Sequence, residues 1–273
     1  MIGFLGSGNM ARAIVSGLVS TGYDPAEIFV SARDPRNAEK LAQSEGVDFA
    51  NSNEELVDMI GPDGTLVIAV KPNMIASVMN PLRESLEDTS ILVVSIAAGT
   101  SLETLGALVP EGQPIVRVMP NVNSTIGAGM SGICGNEYVD ETQLDTVFAM
   151  FDSVGEVAHI AEKDFSVFSA LAGCSPAWTF EYIEALARGG VAGGLPKAQA
   201  VRIAAQAVLG SAQMVLAKAG EGLTPNNLRD TVSSPGGTTI AGLIAMEDAG
   251  FSPAVVRGVR AAIDRDHAIQ EGK

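Results

Sequence analysis

The sequence predicts an α/β fold in which an N-terminal doubly wound, mostly parallel sheet is followed by an all-helical domain. Up to about residue 161, short apolar segments alternate with stretches of helical periodicity. Two of these segments, Thr65–Val70 and Ser90–Ser95, are continuous apolar runs typical of central parallel strands. After Glu162 the strand patterns stop. We therefore expect two domains, residues 1–161 and residues 162–273.

A glycine-rich turn follows the first predicted strand, Ile2–Leu5. The turn is Gly6-Ser7-Gly8-Asn9-Met10-Ala11, and helical periodicity begins directly after it. A G-x-G-x-x-A sequence between a strand and a helix is the dinucleotide-binding fingerprint of a Rossmann-type domain. Gly6 would make the tight turn, and Gly8 would let the backbone approach a pyrophosphate. The helix N-terminus would favour the negative charge of that group.

The end of the second predicted strand, Glu27–Ser31, indicates which nucleotide binds. An NAD site usually has Asp or Glu here, whereas this strand ends in Ser31 and is followed by Ala32 and Arg33. A hydroxyl and a guanidinium suit a 2′-phosphate, because Arg binds phosphate as a bidentate fork. We therefore expect NADPH to be preferred, with NADH as the alternative. Arg33 could instead be a solvated loop charge, and Asp34 could cap the next helix.

Three further strand ends are expected to border the cofactor, because ligands of open α/β sheets bind outside the carboxyl ends of the strands. Val70 and Lys71 end the third long strand, and Pro72 fixes the turn that follows. The small residues of Ile96–Ser101 and the segment Met119-Pro120-Asn121 follow the next two strands. Asn53 could face the adenosine or cap its own helix, and the residues alone favour the cap.

A second polar turn, Ser233–Thr239, lies between two predicted helices near the C-terminus. Gly236 and Gly237 allow positive φ and remove Cβ atoms, so backbone N–H groups can turn toward a ligand. Ser234, Thr238 and Thr239 add hydroxyl groups. The turn is therefore a candidate site for a small carboxylate at a helix N-terminus. The alternative is a tight interhelical turn with Thr238 as its N-cap.

The sequence of the helical half predicts that the chain associates with further copies of itself. Gly173-Cys174 is expected to break one helix, Ser175-Pro176 to cap the next, and Gly189–Gly194 to interrupt that one. A long alanine-rich helix from Lys197 to about Ala219 has an apolar stripe wider than a one-sided surface helix needs. Such faces predict a homodimer or a larger homo-oligomer.

Composition limits the classes of partner. The 273-residue chain has a formal net charge of −15, which argues against binding to nucleic acid. An anionic cofactor must therefore find its cations locally. Cys134 and Cys174 form no ligand-like spacing or disulfide framework, and His159 and His267 lack neighbouring ligands, so we expect no metal.

Targeting signals are not evident. The N-terminus enters a strand directly, without the basic and apolar regions of a signal peptide. No run of about 18 or more apolar residues predicts a membrane span. We therefore expect a cytoplasmic protein that does not enter a membrane.

Several of these segments together resemble pyrroline-5-carboxylate reductase, over essentially the whole chain and in order. They are Met1–Ala11, Ala69–Pro72, Arg117–Asn121, Ala172–Ala177 and Ser233–Ala241. The resemblance implies NAD(P)H-dependent reduction of 1-pyrroline-5-carboxylate to L-proline, the last step of proline biosynthesis. It also implies a Rossmann-type domain, a helical domain that intertwines in a homodimer, and dimers often gathered into a decamer. The active site would lie between the cofactor and the helical domain, with the partner chain contributing.

The resemblance also assigns residues by position. The substrate carboxylate would be bound by Ser234, Gly236, Gly237 and Thr238, and Thr239 would hydrogen-bond the ring nitrogen as the catalytic residue. The cofactor would be lined by Gly6, Gly8, Asn9, Met10, Ser31, Arg33, Asn53, Ala69, Lys71 and Pro72, with Ala97 and Pro120 near the nicotinamide. One departure is Val122-Asn123, where the family commonly has Thr-Pro.

Two other functions are compatible with the two-domain plan. The first is reduction of another cyclic imine, or a β-hydroxyacid dehydrogenase, which relies on a catalytic Lys in the helical domain. Lys197 and Lys218 occur there without the surrounding motif. The second is a non-catalytic dinucleotide-binding or scaffold protein, against which the intact Ser233–Thr239 turn argues.

Overall fold

The computed structural model describes residues 1–270 and divides the chain into two compact units. The first unit comprises Met1–Gly173 together with the chain from Ala262 onward, and the second comprises Cys174–Ala261. The α/β fold with a mostly parallel sheet and a helical C-terminal part is as predicted. After Glu162, the described residues contain helices and no strand.

The first unit is built on an eight-stranded sheet in the order β3-β2-β1-β4-β5-β6-β7-β8. Neighbouring strands are parallel, except that β7 runs antiparallel to β6. The order reverses at β1, between β2 and β4, which creates a crevice at the carboxyl ends of these strands. The strands are β1 (Ile2–Leu5), β2 (Ile28–Ser31), β3 (Asp48–Phe49), β4 (Thr65–Ile68), β5 (Leu92–Ser95), β6 (Ile115–Met119), β7 (Gly129–Gly135) and β8 (Gly155–His159).

Helices cover both faces of this sheet. Successive strand residues point to opposite faces, and both faces are buried: Phe4 of β1 packs in one core cluster and the adjacent Leu5 in the other. This is why the central strands are continuous apolar runs. The helices of the first unit are α1 (Asn9–Ser20), α2 (Pro35–Glu45), α3 (Asn53–Ile60), α4 (Ile75–Met79), α5 (Leu102–Gly106), α6 (Glu141–Asp152) and α7 (Phe165–Phe168).

A partly buried ion pair connects β6 to the segments beside it. The side chain of Arg117 is 7% exposed, and its NH1 lies 3.2 Å from Oε1 of Glu162. The same oxygen accepts a hydrogen bond of 2.6 Å from the backbone N–H of Leu102, at the start of α5. The Arg117 guanidinium also lies 4.3 Å from the ring centroid of Phe165. Burial, and next the charge of Glu162, raises the pKa of Cys134 to about 12, so this thiol stays protonated at neutral pH.

The second unit consists of helices whose apolar side chains are largely exposed. Its helices are α8 (Ser175–Ala192), α9 (Lys197–Lys218), α10 (Pro225–Thr231), α11 (Thr238–Asp248) and the first half of α12 (Phe251–Gln270). Within the described chain, α10, α11 and α12 contain no buried residue. Large apolar side chains such as Phe180, Leu209 and Leu216 are 51–75% exposed. A single copy of this unit therefore lacks the core that a stable helical domain needs.

One helix of this unit bears on the prediction that the chain has no membrane span. The stretch Lys197–Glu221 is long enough to cross a membrane and reaches a mean hydropathy of 1.4 over its most apolar window, of which 11% is buried within the chain. Gln206, Ser211 and Gln213 interrupt its apolar sequence. Exposed apolar helices of this kind also occur where a second copy of a chain covers them.

Three local predictions for the helical half differ from the structure in whole or in part. Gly173-Cys174 does not break the helical path, because a π-helical turn, Ser169–Cys174, leads from α7 into α8. Cys174, rather than Ser175, occupies the N-cap position of α8. The predicted interruption at Gly189–Gly194 is confirmed only at its C-terminal end, because α8 passes Gly189 and Gly190 and ends at Ala192 with Gly193 as its C-cap. α9 packs closely against α8 here, since a Cβ on Gly190 would lie 3.1 Å from the Cβ of Ala200.

Candidate active site

A cleft of about 1,030 Å³ opens at the carboxyl ends of β1, β2 and β4, at the point where the strand order reverses. This is the position at which Rossmann-type sheets bind dinucleotides. Seven of the residues predicted to bind the cofactor line it: Gly6, Gly8, Arg33, Asn53, Ala69, Val70 and Lys71. The cleft therefore brings together residues from four segments that are far apart in the sequence.

The glycine turn forms the floor of the cleft. Gly6 has φ +117°, and a Cβ there would lie 2.6 Å from the carbonyl oxygen of Ala69, so the turn requires glycine for the fold itself. Gly8 differs, because a Cβ on it would meet no atom of the described chain within 4 Å. Its φ of −72° suits any residue. The fold itself therefore does not require glycine at position 8. Its missing side chain leaves space in the cleft that a bound pyrophosphate would use.

Helix α1 begins at this turn without a side-chain cap in the described structure, since Gly8 is its N-cap residue. The first N–H groups of a helix have no intrahelical partner. At α1 they face the cleft together with the positive end of the helix dipole, and they are suited to a pyrophosphate.

The side chains of Ser31 and Asn53 are hydrogen-bonded to each other. Ser31 is 1% exposed, and its Oγ donates a hydrogen bond of 2.9 Å to Oδ1 of Asn53. This bond fixes the amide of Asn53 so that its Nδ2 remains as a donor toward the cleft. The cap of α3 is Ser52, whose Oγ accepts from the N–H of Glu55, so the interpretation of Asn53 as the cap was wrong.

The charges at the end of β2 are arranged for an anion. Asp34 caps α2 by accepting from the backbone N–H of Arg36, and its two carboxylate oxygens also pair with the Arg36 guanidinium at 3.0 and 2.7 Å. These hydrogen bonds hold the pKa of Asp34 below its usual range. Within residues 1–270, no carboxylate forms an ion pair with Arg33, Lys40 or Lys71, all of which line the cleft. Asp34, the acid that lines the cleft, is thus paired with Arg36, whereas these three cations form no ion pair in the described chain.

Sequence reasoning missed several residues of the cleft. Asn37 and Lys40 lie one helical turn apart on α2 and both line the cleft. Asp34, Asn37 and Lys40 follow one another at intervals of three residues, and this helical spacing could have predicted that they share a face. The others are Leu5, Ser7, Arg12, Ala32, Asn73, Met74, Ser77 and Val78, together with Asp34 itself.

The remaining predicted cofactor residues lie near the cleft without lining it. Asn9 and Met10 form the first turn of α1, and Pro72 begins the short helical turn after β4. Ala97 and Pro120 are buried directly beyond the carboxyl ends of β5 and β6. Ala97 and Pro120 therefore lie along the same edge of the sheet as the cleft, on the side of β4 that is opposite to β2.

The Ser233–Thr239 turn of the second unit presents a second helix N-terminus. Gly236 has φ +67°, and the N–H of Gly237 donates to the carbonyl of Ser234 at 3.0 Å, as in a type II turn. A Cβ on Gly237 would lie 2.4 Å from Oγ of Ser234, so a side chain there would force the Ser234 hydroxyl to move. Helix α11 begins at Thr238, so Thr238 is not its cap, and no described side chain caps it. Its first N–H groups are therefore available to a carboxylate beside the exposed hydroxyls of Thr238 and Thr239.

The glycine turn, the uncapped α1 and the cleft at the strand-order reversal define the class: a Rossmann-type dinucleotide-binding protein with a helical second unit. Residues 1–99 match the family described as NADP oxidoreductase, coenzyme F420-dependent, and residues 162–269 match pyrroline-5-carboxylate reductase dimerisation. The chain belongs to the pyrroline-5-carboxylate reductase family, because it is 37% identical over 271 residues to the pyrroline-5-carboxylate reductase of Escherichia coli K12, covering 99% of this chain and 98% of the relative.

Two solved structures agree with this membership. A pyrroline-5-carboxylate reductase from Coxiella burnetii superimposes with a TM-score of 0.90 at 34% identity, covering 98% of this chain and 97% of that one. Pyrroline carboxylate reductase from Plasmodium falciparum, solved with NADP bound, gives a TM-score of 0.86 at 31% identity, with coverage of 98% and 97%.

We predict that alanine at the two glycines of the turn separates folding from binding. Gly8→Ala should leave the melting temperature nearly unchanged and weaken NADPH binding by about 10-fold or more, because the methyl group occupies space that the pyrophosphate needs. Gly6→Ala should lower the melting temperature, because Ala69 blocks the methyl group and the positive φ is strained. Scanning calorimetry and NADPH fluorescence titration measure the two effects. Unchanged NADPH affinity in the folded Gly8→Ala variant would contradict the assignment of the cleft.

Proposed function

We propose that this protein reduces 1-pyrroline-5-carboxylate to L-proline with a nicotinamide cofactor, as the last step of proline biosynthesis. The observation that carries the proposal is the uncapped N-terminus of α11 behind the Ser233–Thr239 turn. It is a site for a small carboxylate, in a chain that also contains a dinucleotide cleft. Membership of the pyrroline-5-carboxylate reductase family supports the same substrate.

The chain's own groups bind and orient the substrate. The N–H groups at the start of α11 and the Ser234 hydroxyl hold the substrate carboxylate. The Thr239 hydroxyl hydrogen-bonds the ring nitrogen, which fixes the imine carbon for attack. A bound reduced nicotinamide supplies the hydride. A protonated imine needs little acid catalysis, so the protein contributes orientation and electrostatics rather than a strong acid.

The dehydrogenase alternative is not favoured, because both lysines that it would need are engaged in ion pairs. Lys197 Nζ lies 2.5 Å from Oε1 of Glu184, and Lys218 Nζ lies 2.6 Å from Oε1 of Glu221. Each of the two amines is therefore already paired with a carboxylate of its own unit.

The proposed preference for NADPH over NADH rests on the charges at the end of β2. Arg33 and Lys40 can bind a 2′-phosphate, whereas the carboxylate that would accept from a ribose 2′-hydroxyl is held by Arg36. An NADP-bound relative supports the same nucleotide class.

The proposed assembly is a homodimer through the helical unit, with dimers gathered into a decamer. Three observations support the dimer: the exposed apolar side chains of α8 and α9, the absence of buried residues in described α10–α12, and the match to the family's dimerisation region. The decamer is proposed from the resemblance alone. A second copy covering Lys197–Glu221 also accounts for the apolar character of that helix without a membrane. A cytoplasmic location remains a prediction, which cell fractionation would test.

The central experiment follows the oxidation of NADPH by purified protein at 340 nm with 1-pyrroline-5-carboxylate, and repeats it with NADH. We expect NADPH oxidation with an equal amount of proline formed, and a higher kcat/KM for NADPH than for NADH. Tight NADPH binding without proline formation would contradict the proposed reaction.

Arg33→Gln should raise KM for NADPH by about 10-fold or more, because one charge-assisted hydrogen bond to the 2′-phosphate is lost. KM for NADH should stay nearly constant, since NADH has no 2′-phosphate. Arg83→Gln is the matched control, because Arg83 lies outside the cleft and donates to the carbonyl of Ala107. An equal rise in KM for both nucleotides would contradict a role for Arg33 in phosphate recognition.

Thr239→Ala should lower kcat by about 100-fold or less, because a hydrogen bond to the ring nitrogen is lost while proton donation is a modest contribution. Thr239→Ser keeps a hydroxyl group and should recover most of the rate. Steady-state kinetics with saturating NADPH measure both variants. Wild-type kinetics in Thr239→Ala would remove Thr239 from the mechanism.

Light scattering should give a mass of at least twice the 28.1 kDa of one chain. Leu209→Lys should reduce the mass, because a charge would then be buried in the apolar interface. Tyr138→Lys is the control, since Tyr138 in the first unit is similarly exposed (48% against 51% for Leu209). A monomeric wild-type protein would contradict the proposed assembly.

A further inference from the structure

The side chain of Asn121 links three segments at the carboxyl end of β6. Asn121 follows Pro120 directly and is 7% exposed. Its Oδ1 accepts hydrogen bonds from the backbone N–H groups of Asn123 at 3.2 Å and Met130 at 3.3 Å. Its Nδ2 donates to the carbonyl of Ala172 at 3.0 Å. One buried amide therefore connects the turn after β6, the start of β7 and the π-helical turn Ser169–Cys174.

The bond to Ala172 lies where the π-helical turn leads into α8. Pro176, four residues after Ala172, has no N–H with which to donate to its carbonyl. The amide of Asn121 supplies a donor to that carbonyl. The π-helical turn also packs against the end of β6, because a Cβ on Gly173 would lie 3.0 Å from Cε of Met119. π-Helical turns occur frequently at functional sites.

Pro120 directly precedes Asn121 and lies at the edge of the sheet formed by the carboxyl ends of the parallel strands. It is buried at the carboxyl end of β6, on the same edge as the end of β5. The cleft of about 1,030 Å³ is lined by residues beyond β1, β2 and β4, and Asn121 does not line it. A change at Asn121 therefore affects the nicotinamide side of the sheet edge and leaves the adenosine side intact.

We propose that Asn121 is a positioning residue for hydride transfer. Its three hydrogen bonds hold the backbone directly after Pro120, the residue that the resemblance assigns to the nicotinamide side, and Asn121 itself does not contact substrate or cofactor. This inference rests on the proposed function. A side chain buried this deeply and hydrogen-bonded at both ends of its amide keeps one orientation, so Pro120 is held rigidly.

Two variants remove the donor to Ala172 and keep an acceptor for the local turn. Asn121→Asp retains the geometry and adds a charge, whereas Asn121→Ser is neutral and too short to reach Ala172. We expect kcat to fall about 10- to 100-fold in both, because small displacements of the reacting groups cost this much. The dissociation constant for NADPH should stay within about threefold, since the adenosine side carries most recognition of the nucleotide. Asn123→Ser is the matched control, because its side chain forms no hydrogen bond within residues 1–270.

A second measurement uses the protein without cofactor. Hydrogen exchange of the 169–174 segment should be faster by about fivefold or more in both Asn121 variants, because local opening becomes easier when the bond to Ala172 is lost. Exchange in β1–β4 should not change. This readout reports on the contact itself and does not depend on turnover.

The outcomes separate this inference from the proposed function. If the wild-type protein forms no proline, the proposed function fails, while the exchange data still test the contact. If the wild-type protein is active and both folded variants keep kcat within twofold, the inference is overturned. It is also overturned if kcat falls only in proportion to weaker NADPH binding. Should Asn121→Asp fail to fold, Asn121→Ser decides.

Discussion

Helices α1 and α11 both have a glycine at the N-cap position, and glycine has no side chain with which to cap the helix. A helix N-terminus without a cap leaves N–H groups and a partial positive charge unsatisfied, and an anion is the natural partner. We propose that the anion is a pyrophosphate at α1 and a small carboxylate at α11. Much of the surrounding structure serves these two ends: the strand-order reversal gives α1 its cleft, and Gly236 and Gly237 turn the chain into α11.

Charge explains how an acidic protein can bind an anionic cofactor. The chain carries a net charge of −15, yet Arg33, Lys40 and Lys71 border one cleft. The acid at the same strand end, Asp34, is paired with Arg36 and caps α2, so it offers little repulsion. Local placement of charge, rather than the net charge, determines what the cleft can hold.

The two units differ in how they are stabilised. The sheet of the first unit buries apolar side chains on both faces, and a partly buried Arg117–Glu162 pair connects the segments beside β6. The helices of the second unit pack through small residues such as Gly190 and Ala200, and leave their large apolar side chains exposed. Residues 162–269, which include this unit, match the family model described as pyrroline-5-carboxylate reductase dimerisation. Exposed apolar helix faces of this kind occur where a second copy of a chain covers them.

The sequence by itself determined the features that depend on local backbone chemistry. Strand alternation, the Gly6–Gly8 turn and the Ser234–Gly237 turn follow from residue type and spacing, because glycine and proline restrict the backbone wherever they occur. Only the tertiary structure decided what depends on distant partners. The amide of Asn53 is set by Ser31, the donor to Ala172 comes from Asn121, and α8 continues past Gly190 because α9 packs against it. Each of these contacts joins residues 10 to 51 positions apart. Spacing along the chain carries no information about such contacts, because folding brings these groups together.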